Sequence, residues 1–342
     1  MRRYLTLLFF VLIGCLAQTS EARKIALLIG VDDYANAPSL RCCVNDANLL
    51  KSALMEIGFE EQDIQLIVTG GEDQSAPTKT VIEQKLAEIV SSAEPSDIVF
   101  VMFSGRGFQN GNQAYICPSD TDLDNPEETS ISVAKILGDF SKCQAKLSWI
   151  VTDACRNKVE TNHRGISVPT SPSLTVIDKS HEVVLFQSCS EGEECYEGGE
   201  KHVKNGFFTK ILIDALSGKA DCNLDGCLTL FEVCTWTANQ TQLQVKETFN
   251  RVQRPTLTAN SASDVVLFEI PNFSKAAALV EEAQKAIIDG NYSLAYKLFD
   301  AAIAIYPKVD SWKCERELAK KLSKRNKQSS DKDKDLLLLQ EQ

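Results

Sequence analysis

The chain has 342 residues, of which 44% are hydrophobic, and its formal net charge is −11 at pH 7. An apolar fraction of this size excludes a disordered or collagen-like chain and is sufficient for at least one large core. The acidic balance argues against binding to nucleic acid or to anionic membrane surfaces, so we predict no nucleic-acid partner.

The first 22 residues have the pattern of a signal peptide. Two arginines precede a hydrophobic run over 4–13 that is too short to span a bilayer, and a small-x-small cleavage signal follows at 20–22. The run 12–15 offers a second processing site, a bacterial lipobox in which Cys15 would carry lipid. We therefore expect an exported protein, secreted, periplasmic or extracellular, that is anchored to a membrane only if Cys15 is lipidated.

Five apolar, β-branched runs predict buried strands, and the segments between the first three have helical spacing. The strands cover 24–31, 64–69, 97–103, 147–152 and 183–187, and the two helices cover 44–57 and 78–90. This alternation predicts an α/β fold whose mostly parallel sheet is flanked by helices. Ligands in such sheets bind beyond the carboxyl ends of the strands, so chemistry is expected there.

The chain continues with a polar run, two further helices and a helical appendage. The run 158–180 predicts a mobile surface loop, and helices 207–216 and 230–241 with a strand at 265–268 close the first domain, 23–270. Segment 271–324 is wholly helical, with tetratricopeptide-like spacing at Ala295, Phe299, Ala302 and Pro307. A single repeat cannot bury a continuous core, so it must dock on the first domain or on a protein partner. The charged range 325–342 predicts a disordered tail.

Two short polar motifs follow predicted strands. Ser104-Gly105-Arg106-Gly107 follows the third strand and Asp153-Ala154-Cys155 follows the fourth. An Ala-Cys pair preceded by an acidic or amide residue, with a histidine about 50 residues upstream, is typical of caspases. Position 106 lies 49 residues before Cys155 and is occupied by arginine.

These motifs, together with the runs 25–31, 40–47 and 205–210, resemble the caspase, paracaspase and metacaspase family of cysteine peptidases. The likeness covers roughly 24–270 and is nearest the metacaspase-like branch. It implies a caspase-like α/β domain and a peptide or protein substrate. It also implies that Cys155 is the nucleophile, that position 106 is the catalytic-histidine position, and that the backbone N–H of Gly107 helps to hold the oxyanion.

Arginine at position 106 changes what the resemblance implies. A guanidinium does not deprotonate, so Arg106 cannot serve as a base or protonate a leaving amine, although its charge can stabilise a nearby thiolate. The histidines, His163, His181 and His202, all lie outside the motifs. We expect a protein that is impaired or inactive in proteolysis. An active Arg/Lys-directed endopeptidase and a binding module without chemistry are the alternatives.

The resemblance further implies an acidic pocket that accepts the Arg or Lys side chain before a scissile bond. Its positions are Cys43, Asp46, Ser104 and Asp153. Taken singly, each residue is better explained by a structural role, Asp46 at the start of a helix and Asp153 at the end of a strand. We hypothesise that Arg106 turns into this pocket and pairs with Asp46 or Asp153; the alternative is that it points at Cys155.

An acidic loop at 221–232 matches the EF-hand pattern. Its calcium ligands would be Asp221, Asn223, Asp225, the carbonyl of Cys227 and the carboxylate of Glu232. The alternative is an ordinary Asn/Asp/Gly turn. Calcium is the only cofactor that the sequence indicates, and the peptidase chemistry requires none.

The sequence has 12 cysteines. Export allows some of them to form disulfides, whereas buried free cysteines behave as small hydrophobic side chains. Spacing alone cannot assign pairs, so both alternatives stay open.

Overall fold

The computed structural model describes residues 22–71, 76–155, 181–197, 205–261 and 264–340, with side chains described as far as 326. The predicted signal peptide with Cys15, the predicted loop at 158–180 and two histidines, His163 and His202, lie outside these residues.

Six strands form the central sheet and five form two smaller ladders. The strands are β1 (Lys24–Gly30), β2 (Ile64–Val68), β3 (Ile98–Ser104), β4 (Gly107–Asn110), β5 (Gln113–Ile116), β6 (Ile131–Ser132), β7 (Leu147–Asp153), β8 (Glu182–Gln187), β9 (Cys227–Thr229), β10 (Thr256–Ala259) and β11 (Val266–Glu269). The central sheet has the order β10-β8-β7-β3-β1-β2. Its five predicted strands are parallel, and β10 closes one edge antiparallel to β8.

Nine α-helices lie in the described residues. They are α1 (Cys43–Glu56), α2 (Lys79–Ser92), α3 (Pro126–Thr129), α4 (Val133–Phe140), α5 (Phe207–Asp214), α6 (Leu230–Phe249), α7 (Phe273–Ile288), α8 (Tyr292–Ile305) and α9 (Asp310–Gln340). A π-helical turn, Ala215–Lys219, follows α5. No described helix combines the length and the apolar character needed to cross a bilayer.

Alternate residues of the central strands face two separate apolar layers, as a sheet with both faces covered requires. One layer joins Phe100 and Trp149 of the sheet to Leu50 of α1 and Phe208 of α5. The other joins neighbouring strand positions to α2 and α4, with Phe140 fully buried. The predicted fold class, a mostly parallel sheet between helices, is therefore confirmed.

Two elements differ from the sequence prediction. The predicted strand at 265–268 is present as β11, which pairs with β9 in a separate ladder outside the central sheet. The edge of the sheet is taken instead by β10, a short, half-exposed strand without a strong apolar pattern. At the C-terminus, α9 continues to Gln340, so the predicted disordered tail is helical over most of its range. Lys, Gln and Leu are good helix formers, which favours a helix in a segment of this composition.

The helical appendage packs on itself and on the α/β domain. Phe273, Tyr306 and Trp312 form an aromatic cluster, with ring centroids 5.4 Å apart for the first two. Lys308 donates to the carbonyl of Ser217 over 2.9 Å. The repeat-like helices therefore dock on the domain of their own chain.

Candidate active site

The two motif turns leave the sheet side by side. Ser104 of β3 lies opposite Asp153 of β7 in the strand register, and Gly30 of β1 lies opposite Ser104. The backbone N–H of Gly105 donates to the carbonyl of Asp153 over 3.2 Å. Parallel pairing therefore brings the turn that carries Arg106 to the turn that carries Cys155.

Gly107 allows strand β4 to approach the turn of Cys155. A Cβ atom added at Gly107 would lie 3.0 Å from the carbonyl oxygen of Cys155 and 2.8 Å from that of Tyr115. The distance to Tyr115 is shorter than a Cβ atom tolerates, the distance to Cys155 is at the limit, and both opposing atoms are backbone, so only glycine fits without a shift of the backbone. Its backbone is thus held against the nucleophile position.

The thiol of Cys155 is half-buried and touches a second cysteine. The backbone N–H of Cys195 donates to its sulfur over 3.4 Å. Hydrogen bonding from the Cys195 side chain is the largest effect on this thiol, and it lowers the pKa of Cys155 to about 7 against the opposing effect of burial. A substantial fraction of Cys155 is therefore thiolate, the nucleophilic form, at neutral pH.

The sequence prediction missed Cys195. This residue follows β8, the strand next to β7, and so also lies beyond a carboxyl end of the sheet. Gln253 fixes its loop, because its side chain donates to the carbonyl of Ser188 over 2.9 Å and accepts from the N–H of Tyr196 over 3.2 Å. Its position after a buried strand is the sequence signal that could have identified Cys195 as a site residue.

Arg106 does not enter the pocket. Its guanidinium donates to the carbonyl of Pro38 over 2.7 Å, and it lies 5.6 Å from the ring centroid of Tyr34. Among the described residues, no carboxylate comes within ion-pairing distance of it. The hypothesis that Arg106 pairs with Asp46 or Asp153 is therefore wrong.

The carboxylates of Asp46 and Asp153 are unavailable to Arg106 because they accept hydrogen bonds from the start of helix α5. Asp46 is 1% exposed and accepts from the N–H of Gly206 over 3.1 Å. Asp153 accepts from the hydroxyl of Thr209 over 2.7 Å. A Cβ added at Gly206 would lie 3.0 Å from a carboxylate oxygen of Asp153 and 3.2 Å from one of Asp46, so both acids converge at the start of α5.

The four predicted pocket residues form one buried group. Ser104 donates to Asp46 over 3.4 Å, and the start of α1, which carries Cys43 and Asp46, packs on Gly30, where a Cβ would lie 2.6 Å from the carbonyl of Cys43. Burial raises the pKa of Asp46 to about 9, and the charge of Asp153 adds to the effect. The pair thus holds a proton at neutral pH.

Residues 23–267 match the family model of the caspase domain. The chain belongs to the caspase family. It is similar to Metacaspase-4 of Arabidopsis thaliana, at 36% identity over 191 residues, which cover 54% of this chain and 41% of that protein. It is also similar to Metacaspase-1 of Sclerotinia sclerotiorum, at 28% identity over 172 residues, 50% of this chain and 34% of the other. The chain thus spans less than half the length of these relatives.

A similar solved structure is the crystal structure of Caspase-1 from Spodoptera frugiperda. The alignment has a TM-score of 0.49 at 13% identity and covers 73% of this chain and 91% of that one.

In the acidic loop at 221–232, only some of the predicted calcium ligands bond to one another. Asp221 accepts from the N–H groups of Asp225 and Gly226 over 3.2 and 3.1 Å, and Asn223 bonds to Asp225. Glu232 instead forms a capping box with Thr229 at the start of α6. The described residues contain no cluster of three or more His, Cys, Asp or Glu side chains arranged to hold a metal. Calcium at this loop stays a prediction, and it requires Glu232 to leave the cap.

Proposed function

We propose that this caspase-family protein keeps a cysteine nucleophile, Cys155, and an acidic pocket for Arg or Lys side chains, but is impaired or inactive as an endopeptidase because Arg106 occupies the catalytic-histidine position. Its ligands are peptides or proteins with a basic residue at the recognised position. Export, for which residues 1–22 are the basis, belongs to the same proposal.

The observation that carries the proposal is the environment of Arg106. Peptide cleavage requires a group that takes the thiol proton and returns it to the leaving amine, a role worth about 10²- to 10⁴-fold in rate. A guanidinium cannot play it. The side chain is in addition committed to the Pro38 carbonyl and the ring of Tyr34.

No described histidine replaces the missing base. Within the described residues the only histidine is His181, which precedes the first residue of β8 and therefore lies at the amino end of that strand. Its ring bonds to the carbonyl of Ser141 over 3.1 Å. Cys155 lies beyond the opposite, carboxyl end of the sheet, so an imidazole at position 181 cannot serve it.

Binding of a basic side chain is supported by the acid pair. Asp46 and Asp153 lie close together, and each accepts a hydrogen bond from the start of α5. A guanidinium presents a planar set of donors that matches two carboxylates. The ligand must therefore displace the N–H of Gly206, which couples occupancy of the pocket to the position of α5.

Turnover and labelling test the two halves of the proposal separately. Full-length protein is assayed with fluorogenic peptides ending in Arg, Lys or Asp, with Cys155→Ala as the control. We expect turnover of the wild type to match that of the control. An electrophilic peptide probe ending in Arg should nevertheless label Cys155 faster than the same probe ending in Asp.

Robust turnover that Cys155→Ala abolishes would show an active peptidase and remove the first half of the proposal. Equal labelling by the two probes would remove the basic-side-chain pocket.

A further inference from the structure

Three cysteine side chains lie in a row beyond the carboxyl ends of the central strands. The backbone N–H of Cys195 donates to the sulfur of Cys155 over 3.4 Å, and the sulfur of Cys195 lies 3.5 Å from the sulfur of Cys189. The hydroxyl of Ser188 lies 2.9 Å from the sulfur of Cys195. Peptide cleavage by a cysteine nucleophile uses one of these thiols, and the other two have no role in that reaction.

The structure holds Cys195 in place at Cys155 with more than one interaction. Gln253, which is fully buried, bonds to backbone groups on both sides of Cys195, at Ser188 and Tyr196. Arg254 pairs with Glu193 of the same loop over 2.6 Å. The fold therefore fixes the position of Cys195 beside Cys155.

The thiols of Cys155 and Cys195 are chemically unequal. The pKa of Cys155 is lowered to about 7, chiefly by hydrogen bonding from Cys195. The pKa of Cys195 is raised, and the same contact with Cys155 is its largest cause. The pair therefore keeps its thiolate on Cys155 and its proton on Cys195, as an attacking thiol and a resolving thiol require.

We propose that Cys155 and Cys195 form a dithiol redox site that reduces hydroperoxides and closes an intramolecular disulfide. The thiolate of Cys155 attacks one peroxide oxygen, the O–O bond breaks, and the leaving oxygen takes a proton to become water or an alcohol. Cys155 is then a sulfenic acid. The sulfur of Cys195 attacks the sulfur of Cys155, forming the S–S bond and releasing water. Both thiols are oxidised and the peroxide is reduced.

Position relative to Cys155 decides which cysteine resolves the sulfenic acid. Cys195 donates its backbone N–H to the sulfur of Cys155, whereas Cys189 is fully buried and has its sulfur contact with Cys195. Cys155 is half-buried and accessible to a small oxidant. The disulfide therefore joins positions 155 and 195 first. It removes the nucleophile from any reaction with peptides, whether or not the chain cleaves them, so this proposal does not rest on the proposed function.

Peptide mapping of the wild-type protein tests the proposal without any substitution. Reduced full-length protein is treated with hydrogen peroxide, alkylated and digested with trypsin. Cys155 falls on peptide 147–156, and both Cys189 and Cys195 fall on peptide 180–201. We expect these two peptides to become joined by a bond that dithiothreitol reverses. Further cleavage after Glu194 assigns the partner, because it separates Cys195 from Cys189.

A variant adds a second readout. Dimedone captures sulfenic acids, so Cys195→Ser should increase dimedone labelling of Cys155 several-fold over the wild type, while Cys222→Ser, at an exposed cysteine, should not. A disulfide joining positions 189 and 195 with Cys155 still free would overturn the proposal. So would equal dimedone labelling in the wild type and Cys195→Ser.

Discussion

The backbone N–H of Arg106 donates to the hydroxyl of Tyr34 over 2.6 Å, and the guanidinium of Arg106 lies over the ring of the same tyrosine. Tyr34 therefore fixes both the backbone and the side chain of the residue that stands in the catalytic-histidine position. The backbone bond does not depend on the identity of residue 106. A substitution at position 106 is therefore expected to keep the backbone hydrogen bond to Tyr34.

The first prediction follows from that bond. Arg106→His should give Cys155-dependent cleavage of peptides ending in Arg or Lys that the wild type lacks, because it supplies the missing base at the family position. Arg106→Gln is the matched control, since it removes the charge without adding a base. Fluorogenic turnover measures both. Activity that appears equally with Gln would show that Arg106 obstructs the site and that no base was missing.

The second prediction concerns the thiol of Cys155, whose pKa of about 7 depends first on Cys195. Cys195→Ala removes the side-chain hydrogen bond, so the pKa of Cys155 should rise toward the usual thiol value of about 8.5. The rate of iodoacetamide alkylation against pH gives this pKa directly. Cys189→Ala removes a thiol of the same cluster that is not among the largest causes of the lowered pKa of Cys155, and it should move this pKa less. An unchanged midpoint in Cys195→Ala would contradict the assigned cause.

Much of this architecture could be predicted because the central strands are simple to recognise. The continuous apolar runs at β1, β3 and β7 have the pattern of strands buried on both faces. Once those runs are parallel, Ser104 and Asp153 must share an edge, so the meeting of the two motifs follows from the sequence. Their close approach at Gly107 depends on the three-dimensional packing of β4 against the turn of Cys155 and has no sequence signal of its own.

The rest depended on contacts between residues far apart in the chain. The ladder of β4, β5 and β6 has strands of two to four residues, too short to show a period. Arg106 was expected to meet an acid by charge alone, yet burial and the bonds to α5 had already satisfied Asp46 and Asp153. Cys195 lies 40 residues from Cys155 and carries no local motif.

The third prediction uses the raised pKa of Asp46, about 9 in the folded chain and about 3.9 when unfolded. Between these values the folded state keeps a proton that the unfolded state has lost, so the free energy of unfolding falls as pH rises through this window. Asp46→Asn keeps an oxygen for the N–H of Gly206 and cannot ionise. Its unfolding free energy should fall less between pH 5 and pH 8 than that of the wild type.

Urea unfolding at the two pH values measures the difference. Asp33→Asn is the control, because Asp33 is exposed and should leave the pH dependence as it is in the wild type. Parallel decline of Asp46→Asn and the wild type would mean that Asp46 is ionised in the folded chain.

The fourth prediction is that calcium raises the thermal unfolding midpoint, because a ligand bound only by the folded state stabilises it. Binding must exchange the capping bonds of Glu232 with Thr229, worth about 1 kcal/mol, for coordination. Glu232→Ala should abolish the increase, whereas Glu269→Ala, an exposed acid on β11, should keep it. Equal thermal unfolding midpoints of the wild type in calcium and in chelator would show that the loop does not bind calcium.

The last prediction tests how the helical appendage is held against the caspase domain. Gly218, in the π turn, has φ +99°, and a Cβ there would lie 2.5 Å from the hydroxyl of Tyr306, whose ring packs on Phe273. Gly290, between α7 and α8, has φ +74° but open space around it. Alanine at Gly290 meets only the backbone penalty, about 1 kcal/mol.

Gly218→Ala should lower the unfolding free energy by more than that, because Tyr306 must also move. Adding Tyr306→Phe removes the opposing oxygen and should recover part of the loss, as measured by urea unfolding. Equal costs at the two glycines, or no recovery in the double variant, would show that the contact between Gly218 and Tyr306 does not hold the appendage.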